Sequence, residues 1–285
     1  MYDLILFILG FIVILAGSLT DLKNREVPDW LNYGLILGVI SLRGIYSVYL
    51  YDYNIFLSGL LGLGVAFLLA CLLFYTGQWG GGDAKLLMGL GAVFGLTFNA
   101  EVQLFFIFLF NLVIFGSIYG LVWTFYLFIA NWSKTGHEFV QVLKTRRANA
   151  FKIPIFVISL ISLVSSFFLI EFRYPLWLLS LASPLMFYMW VYTKVIENVA
   201  MLKKVLPSML TEGDWIAEDI LSNGKKIAGP SDLGINKKQI SILNELYKKK
   251  KINLILIKEG IPFIPSFLIA YVVTLVLGNW ILFLL

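Results

Sequence analysis

Two aspartates, Asp21 and Asp83, lie at the ends of apolar segments and could together form a catalytic pair. Asp83 follows three glycines at the start of one apolar stretch, and Asp21 ends another. An ionised carboxylate is costly in lipid, so acidic residues at these positions suggest a function. Two carboxylates about 3 Å apart share a proton, which makes one an acid and the other a base. Such a pair can activate water for attack on a peptide carbonyl and protonate the leaving amine.

Each aspartate also has a purely structural interpretation. Asp83 could cap the helix that begins with Ala84, because aspartate is a preferred residue at helix N-termini. Asp21 could be a solvated loop residue beside Lys23. The catalytic interpretation therefore depends on whether the fold brings the two carboxylates to one place.

The composition is that of a polytopic membrane protein. The chain has 285 residues, 60% of them hydrophobic, and its mean hydropathy is +0.87. A soluble domain would average roughly 45–50% apolar residues, whereas apolar runs of about 17 residues or more recur here. We predict an all-α bundle of six to eight transmembrane helices, with eight candidate spans at 4–20, 31–50, 55–76, 84–98, 104–130, 153–170, 175–192 and 262–283.

The distribution of positive charge predicts the topology. Nearly all of the 22 Lys and Arg residues fall in segments 21–30, 77–85, 131–152 and 193–261. Positive loops face the cytoplasm, so these four segments are predicted inside and both termini outside. Asp21 and Asp83 are separated by two spans, which puts both at the cytoplasmic face. The net charge of +5 lies in these loops and gives no reason to expect a nucleic-acid partner.

The chain is predicted to have three parts. Residues 1–197 form the transmembrane bundle, which includes a basic cytoplasmic loop at about 131–152. Residues 198–260 form a small cytoplasmic α+β domain, and residues 261–285 form a C-terminal transmembrane helix. Within the α+β domain, Asn223-Gly224 predicts a hairpin between strands at Trp215–Leu221 and Lys225–Ala228.

Several polar residues outside the aspartate pair could also be functional. An acidic patch in the cytoplasmic domain could attract basic groups of a substrate; it consists of Glu212, Asp214, Glu218 and Asp219. The segment Thr211–Asp214 is equally typical of a turn or cap. Arg43 lies inside a predicted span, where we expect it to point to the outer face or to pair with a polar group.

The two aspartate segments resemble those of a known family. Gly80-x-Gly82-Asp83 resembles the GxGD motif of membrane aspartyl proteases, and Asp21 with the following Lys23–Pro28 resembles the first-aspartate region of type IV prepilin peptidases. The segments EGDWIAEDI, DLGINKKQI and KEGIPFIPSFLIAY, at 212–220, 232–240 and 258–271, are similar to the archaeal preflagellin and prepilin peptidases.

This resemblance implies a peptidase in the cell membrane whose active site faces the cytoplasm. Asp21 and Asp83 would be the catalytic residues, and Gly80 and Gly82 would support them through the backbone. The expected substrates are pilin- or archaellin-type precursors, whose basic leader precedes a hydrophobic helix in the lipid bilayer. The resemblance implies no metal and no organic cofactor. Bacterial relatives often carry a cytoplasmic CxxC pair, but Cys71 is the only cysteine here.

Two other functions remain open from the sequence. The carboxylates could form the cation or proton site of a transporter, although we see no internal repeat of the kind that transporters show. A presenilin-like protease acting on generic membrane helices would use the aspartate of Tyr51-Asp52. One span separates Asp52 from Asp83, which places Asp52 at the opposite face.

Overall fold

The chain folds into a set of helices, and its strands are confined to the C-terminal part. The computed structural model describes residues 2–97, 103–222, 225–278 and 280. The helices are α1 (Tyr2–Asn24), α2 (Asp29–Tyr49), α3 (Asn54–Tyr75), α4 (Gly81–Phe94), α5 (Leu104–Ala130), α6 (Trp132–Lys144), α7 (Arg146–Phe168), α8 (Arg173–Ile196), α9 (Lys237–Lys248) and α10 (Ile264–Leu277). The strands are β1 (Leu202–Val205), β2 (Trp215–Ile216), β3 (Ile220–Ser222), β4 (Lys225–Ala228) and β5 (Ile255–Lys258).

Six of the described helices are long and apolar enough to cross a membrane, which confirms the predicted fold class. They are α1, α2, α3, α5, α7 and α8 with its π-helical extension to Met201. The predicted spans 84–98 and 262–283 correspond to the shorter helices α4 and α10, of 14 residues each. Their predicted ends include residues 98, 279 and 281–283, which lie outside the described residues. At 1.5 Å per residue, 14 residues cover about 21 Å of a hydrocarbon core about 30 Å thick.

Helix α4 is enclosed by its neighbours because glycines let them approach closely. A Cβ atom added to Gly62 of α3 would collide with the carbonyl oxygen of Gly91 of α4. A Cβ added to Gly91 would collide with the Gly62 carbonyl oxygen and with the Ala66 side chain. Small residues at such a contact allow backbone-to-backbone packing in membranes. The α3–α4 pair can therefore form only with glycine at these two positions.

The C-terminal end of α4 is held by Arg43 of α2, which is only 3% exposed. Its Nε donates to the Ala92 carbonyl and its Nη2 to the Val93 carbonyl, each at 2.9 Å. Its Nη1 donates to the Ile55 carbonyl at 3.0 Å and to the Ser58 Oγ at 2.7 Å. Carbonyls in the last turn of a helix lack an intrahelical donor, and Arg43 supplies one. Of the two expectations for Arg43, the pairing with polar groups is the one observed.

The basic segment 131–152 is helical, so its prediction as a loop was wrong. It contains α6 and the start of α7, and the Thr145 side chain caps α7 by accepting a hydrogen bond from the Ala148 N–H at 3.2 Å. Val142 of α6 is buried in a cluster with Phe187 of α8. The charged residues of α6 lie on the exposed side of an amphipathic helix. A count of charges alone cannot distinguish such a helix from a loop.

Between α8 and α10, the described residues form two small sheets and the helix α9. The first sheet has the order β1-β5-β2, and β5 is antiparallel to both neighbours. The second is the antiparallel pair β3–β4. The single strand predicted at Trp215–Leu221 is instead divided into β2 and β3, because its first part pairs with β5 and its last part with β4. The predicted turn residues Asn223-Gly224 lie outside the described part of the chain.

Candidate active site

Asp21 lies near the C-terminal end of α1 and is 6% exposed. Its Oδ2 accepts a hydrogen bond of 2.9 Å from the backbone N–H of Ile264. Ile264 is the first residue of α10, and the N–H groups at the start of a helix have no intrahelical acceptor. The beginning of α10 therefore orients one oxygen of Asp21 across 243 positions of sequence.

Asp83 lies in the first turn of α4, directly after the glycine run. Gly80 has φ −71° and ψ 161°, an extended conformation that any residue adopts. Neither position requires glycine for steric reasons. A Cβ on Gly82 would lie 3.4 Å from the Val27 Cβ, and a Cβ on Gly80 would lie 3.7 Å from the Asp83 Oδ2. Both are ordinary van der Waals distances, so the α1–α2 connection packs beside Gly82 and still leaves room for a methyl group there.

The fold brings the two aspartates to the same end of the bundle. Val27 of the α1–α2 connection packs against Gly82, and Asn32 of α2 donates its Nδ2–H to the Gly82 carbonyl at 3.4 Å. The Asp21 and Asp83 carboxylates lie close enough to interact electrostatically. The two carboxylates therefore face the same end of the bundle, because the end of α1 meets the start of α4.

The region that carries this pair matches a known family. Residues 7–121 match the model of the type IV leader peptidase family. The match runs from α1 into α5 and includes both Asp21 and Asp83. It confirms the resemblance inferred from the GxGD segment and the region around Asp21. No solved structure gives a significant match to the chain.

Curated relatives match over a similar region. The chain is 37% identical over 87 residues to a preflagellin peptidase of Methanocaldococcus jannaschii and 32% identical over 92 residues to one of Methanococcus maripaludis. Each alignment covers 30% of this chain and 37% of the relative. A preflagellin peptidase of Methanococcus voltae is 29% identical over 90 residues, covering 32% of this chain and 38% of the relative. The chain thus aligns with little more than a third of the length of these relatives.

Lys85, the charged residue nearest to Asp83 in sequence, forms an ion pair with Asp29 and not with Asp83. The Lys85 Nζ contacts the Asp29 Oδ1 at 2.5 Å and lies 5.4 Å from the centre of the Tyr33 ring. This ion pair links the starts of α2 and α4. On the same side, the Asn32 Oδ1 is buried and has no hydrogen-bond partner among the described residues.

Sequence analysis did not identify three residues of α5 that lie near the start of α10, namely Gly116, Tyr119 and Trp123. Gly116 lies against Phe263, the residue before the N–H donor to Asp21, since a Cβ on Gly116 would be 3.1 Å from the Phe263 ring. Tyr119 follows one turn later, and its hydroxyl interacts electrostatically with Asp21. Its ring stacks on Trp123 with centroids 5.9 Å apart. The spacing 116, 119 and 123 marks one helical face, but nothing in the sequence indicates what this face contacts.

The acidic patch of the C-terminal part is engaged in local contacts. The Asp214 Oδ2 accepts a hydrogen bond from the Thr211 N–H at 2.7 Å, as expected of a turn. Two further members form ion pairs: Glu212 with Lys237 at 3.5 Å, and Asp219 with Lys226 at 2.6 Å. Glu218 is exposed. These contacts favour the structural interpretation of the patch over a role in substrate binding.

Asp52 is remote from the aspartate pair. It is exposed in the α2–α3 connection, where its Oδ1 accepts a hydrogen bond from the Asn54 N–H at 2.9 Å. Helix α2 begins beside Gly82 and ends just before Asp52, so its length separates Asp52 from Asp83. An active site built from Asp52 and Asp83, as the presenilin-like alternative requires, does not fit this arrangement.

Proposed function

We propose that this chain is an intramembrane aspartyl endopeptidase that removes the basic leader from pilin- or archaellin-type precursors at the cytoplasmic face of the membrane. The observation that carries the proposal is the meeting of Asp21 and Asp83 at one end of the bundle, within electrostatic range of each other. The match of this region to the type IV leader peptidase family supports the same reaction.

The two carboxylates provide what hydrolysis of a peptide bond needs. The ionised carboxylate takes a proton from water while the water oxygen bonds to the carbonyl carbon, and the protonated carboxyl gives its proton to the carbonyl oxygen. The carboxyl that took the proton from water then gives it to the amine nitrogen as the C–N bond breaks. The hydroxyl formed on the carbonyl oxygen returns its proton to the other carboxylate as the carbonyl re-forms. Because the Asp21 Oδ2 already accepts the Ile264 N–H, its Oδ1 is the oxygen available for water or substrate.

The position of the pair suits a substrate with a polar leader and an apolar helix. Asp21 and Asp83 lie at the ends of α1 and α4, where an apolar helix beside the bundle would continue into a polar segment. The named preflagellin peptidases support an archaellin-type precursor as the substrate class. We therefore place the scissile bond at the boundary between the leader and its hydrophobic helix.

The test is cleavage by purified full-length protein in detergent of a precursor with a basic leader, a glycine and an apolar helix. We expect Asp21→Asn and Asp83→Asn each to lower the cleavage rate by about 10²–10⁴-fold or more, the usual contribution of general acid–base catalysis. Mass spectrometry of the products locates the cleaved bond. The N-cap of α4 is Gly80 and Asp83 is the third residue of the helix, so loss of activity in Asp83→Asn is not loss of an N-cap.

Asp52→Asn is the matched control, since it makes the same change at an exposed position at the opposite end, and it should cleave at the wild-type rate. Full activity of either Asp21→Asn or Asp83→Asn would refute the catalytic pair. A detergent micelle sustains no ion gradient, so cleavage there also separates a peptidase from a transporter that uses the same carboxylates.

A further inference from the structure

The hydroxyl of Tyr119 is buried near the aspartate pair without a partner. Its oxygen has no hydrogen-bond partner among the described residues. A buried polar group left unsatisfied costs about 1–3 kcal/mol, so such a group in a native fold needs an explanation. The Tyr119 ring stacks on Trp123, against which the guanidinium of Arg25 packs one turn after Asp21, and the hydroxyl interacts electrostatically with Asp21 and Arg25.

The packing of α5 fixes the position of this hydroxyl. Gly116, one turn before Tyr119, lets α5 approach Phe263, and the next residue, Ile264, donates its N–H to Asp21. Residues three apart on a helix lie on the same face, so Gly116 and Tyr119 both point toward the start of α10. Tyr119 and Asp21 are thus positioned by the same short segment of chain.

Trp123 and Arg25 support the Tyr119 ring. The Tyr119 and Trp123 rings are stacked, and the Arg25 guanidinium lies 5.3 Å from the centre of the Trp123 ring. Arg25 has φ 60°, a left-handed conformation at the end of α1 where glycine is usual. Its Nη1 is also buried without a partner among the described residues. A strained arginine in place of glycine indicates that its side chain is needed here.

A cleft lies beside Trp123 and Arg25. The cleft measures about 320 Å³ and is bordered by Arg25, Trp123, Glu259 and Gly260. Arg25 forms an ion pair with Glu259, with 3.8 Å between the Arg25 Nε and the Glu259 Oε1. The Tyr119 hydroxyl and the Arg25 Nη1 are both buried donors without an acceptor among the described residues, and Arg25 borders the cleft itself. Hydrogen-bond donors in that position fit the carbonyl oxygens of a peptide chain.

We infer that Tyr119 is a further catalytic residue of the proposed peptidase, whose hydroxyl donates a hydrogen bond to the carbonyl oxygen of the scissile bond. The inference rests on the proposed function. As the oxygen of water bonds to the carbonyl carbon, the π electrons of the C=O bond move onto the carbonyl oxygen. The aspartate pair moves the protons, and Tyr119 keeps its own. Its hydrogen bond strengthens as charge develops and weakens when the C–N bond breaks and the carbonyl re-forms.

The test is the variant Tyr119→Phe, which keeps the ring and its stacking on Trp123 and removes only the hydroxyl. We expect kcat for the precursor to fall by about 100-fold with KM unchanged, the lower end of the effect of losing one oxyanion donor. The midpoint of thermal unfolding should stay the same or rise, because the hydroxyl makes no hydrogen bond to the described residues that its loss could break. A hydroxyl with a structural role would lower the midpoint instead.

Tyr126→Phe on the same helix is the control, since Tyr126 is 61% exposed and also contacts Trp123 through its ring. It should retain the wild-type kcat. A loss in kcat of less than about tenfold for Tyr119→Phe, a change confined to KM, or a drop in the unfolding midpoint would each overturn the inference. Those results leave the proposed function intact as long as the wild type cleaves and the Asp→Asn variants do not. Failure of the wild type to cleave would overturn both.

Discussion

Replacing Arg43 should destabilise the whole bundle although the residue lies far from the aspartates. In Arg43→Met the side chain keeps a similar length but loses the guanidinium. The carbonyls of Ala92 and Val93, in the last turn of α4, then lose the donor that Arg43 provides. Ser58 and Ile55 are less affected, because the Ser58 Oγ also donates to the Ile55 carbonyl at 2.9 Å.

The magnitude follows from those two carbonyls. Each buried acceptor without a donor costs about 1–3 kcal/mol, which gives roughly 2–6 kcal/mol in total. Removing a buried charge also relieves its own desolvation cost, which offsets the upper part of this range. We therefore expect a loss of about 2–4 kcal/mol in the free energy of unfolding. The free energy of unfolding of Arg43→Lys should lie between those of the wild type and Arg43→Met. An ammonium group is a compact donor and cannot reach both carbonyls as the guanidinium does.

The assay is equilibrium unfolding in mixed micelles with increasing SDS, followed by tryptophan fluorescence. Arg173→Met is the control, because Arg173 contacts only the Trp177 ring, at 6.0 Å, among the interactions described for it. It should cost at most about 1 kcal/mol, as an exposed cation–π contact does. If the free energy of unfolding of Arg43→Met falls by less than about 1 kcal/mol, the carbonyls of α4 find other donors and Arg43 is not needed to satisfy them.

Two further predictions concern helix packing and the acidic patch. Gly62→Ala should destabilise the protein by about 1–3 kcal/mol, as overpacking does, because the new Cβ meets the Gly91 carbonyl. Gly64→Ala on the same helix, where nothing lies within 4 Å, should be neutral or stabilising in the same SDS titration. The double variant Glu212→Gln/Asp219→Asn should leave the salt dependence of precursor cleavage unchanged, because both carboxylates are already paired with lysines. A weaker salt dependence in that variant would instead show that the patch attracts the leader.

The sequence by itself determined the membrane fold and both candidate catalytic residues. Long apolar runs have few ways to satisfy their backbone in lipid other than as helices, so composition and spacing were sufficient to predict the six long apolar helices, although not that α4 and α10 are shorter. The number of spans between Asp21 and Asp83 placed them at the same face, because each crossing reverses the direction of the chain. The GxGD segment added the resemblance to the peptidase family.

Local contacts were less accessible to sequence reasoning. The basic segment 131–152 was predicted as a loop because charge distinguishes sides of the membrane and not secondary structure. The glycines at 80 and 82 suggested conformational freedom, whereas the structure shows Gly80 in an extended conformation and Gly82 packed beside Val27. In both cases the residue types were informative and the neighbours that explain them were distant in sequence.

Only the tertiary structure decided what surrounds the aspartates. The N–H of Ile264 reaches Asp21, and the Arg43 guanidinium reaches the end of α4. The Tyr119 hydroxyl is buried on the face of α5 that packs near Phe263, and it has no hydrogen-bond partner among the described residues. Each depends on how helices far apart in the chain pack and rotate against each other. Periodicity determines which residues share a helical face. Packing between helices determines what that face contacts, and the chemistry of the site depends on these contacts.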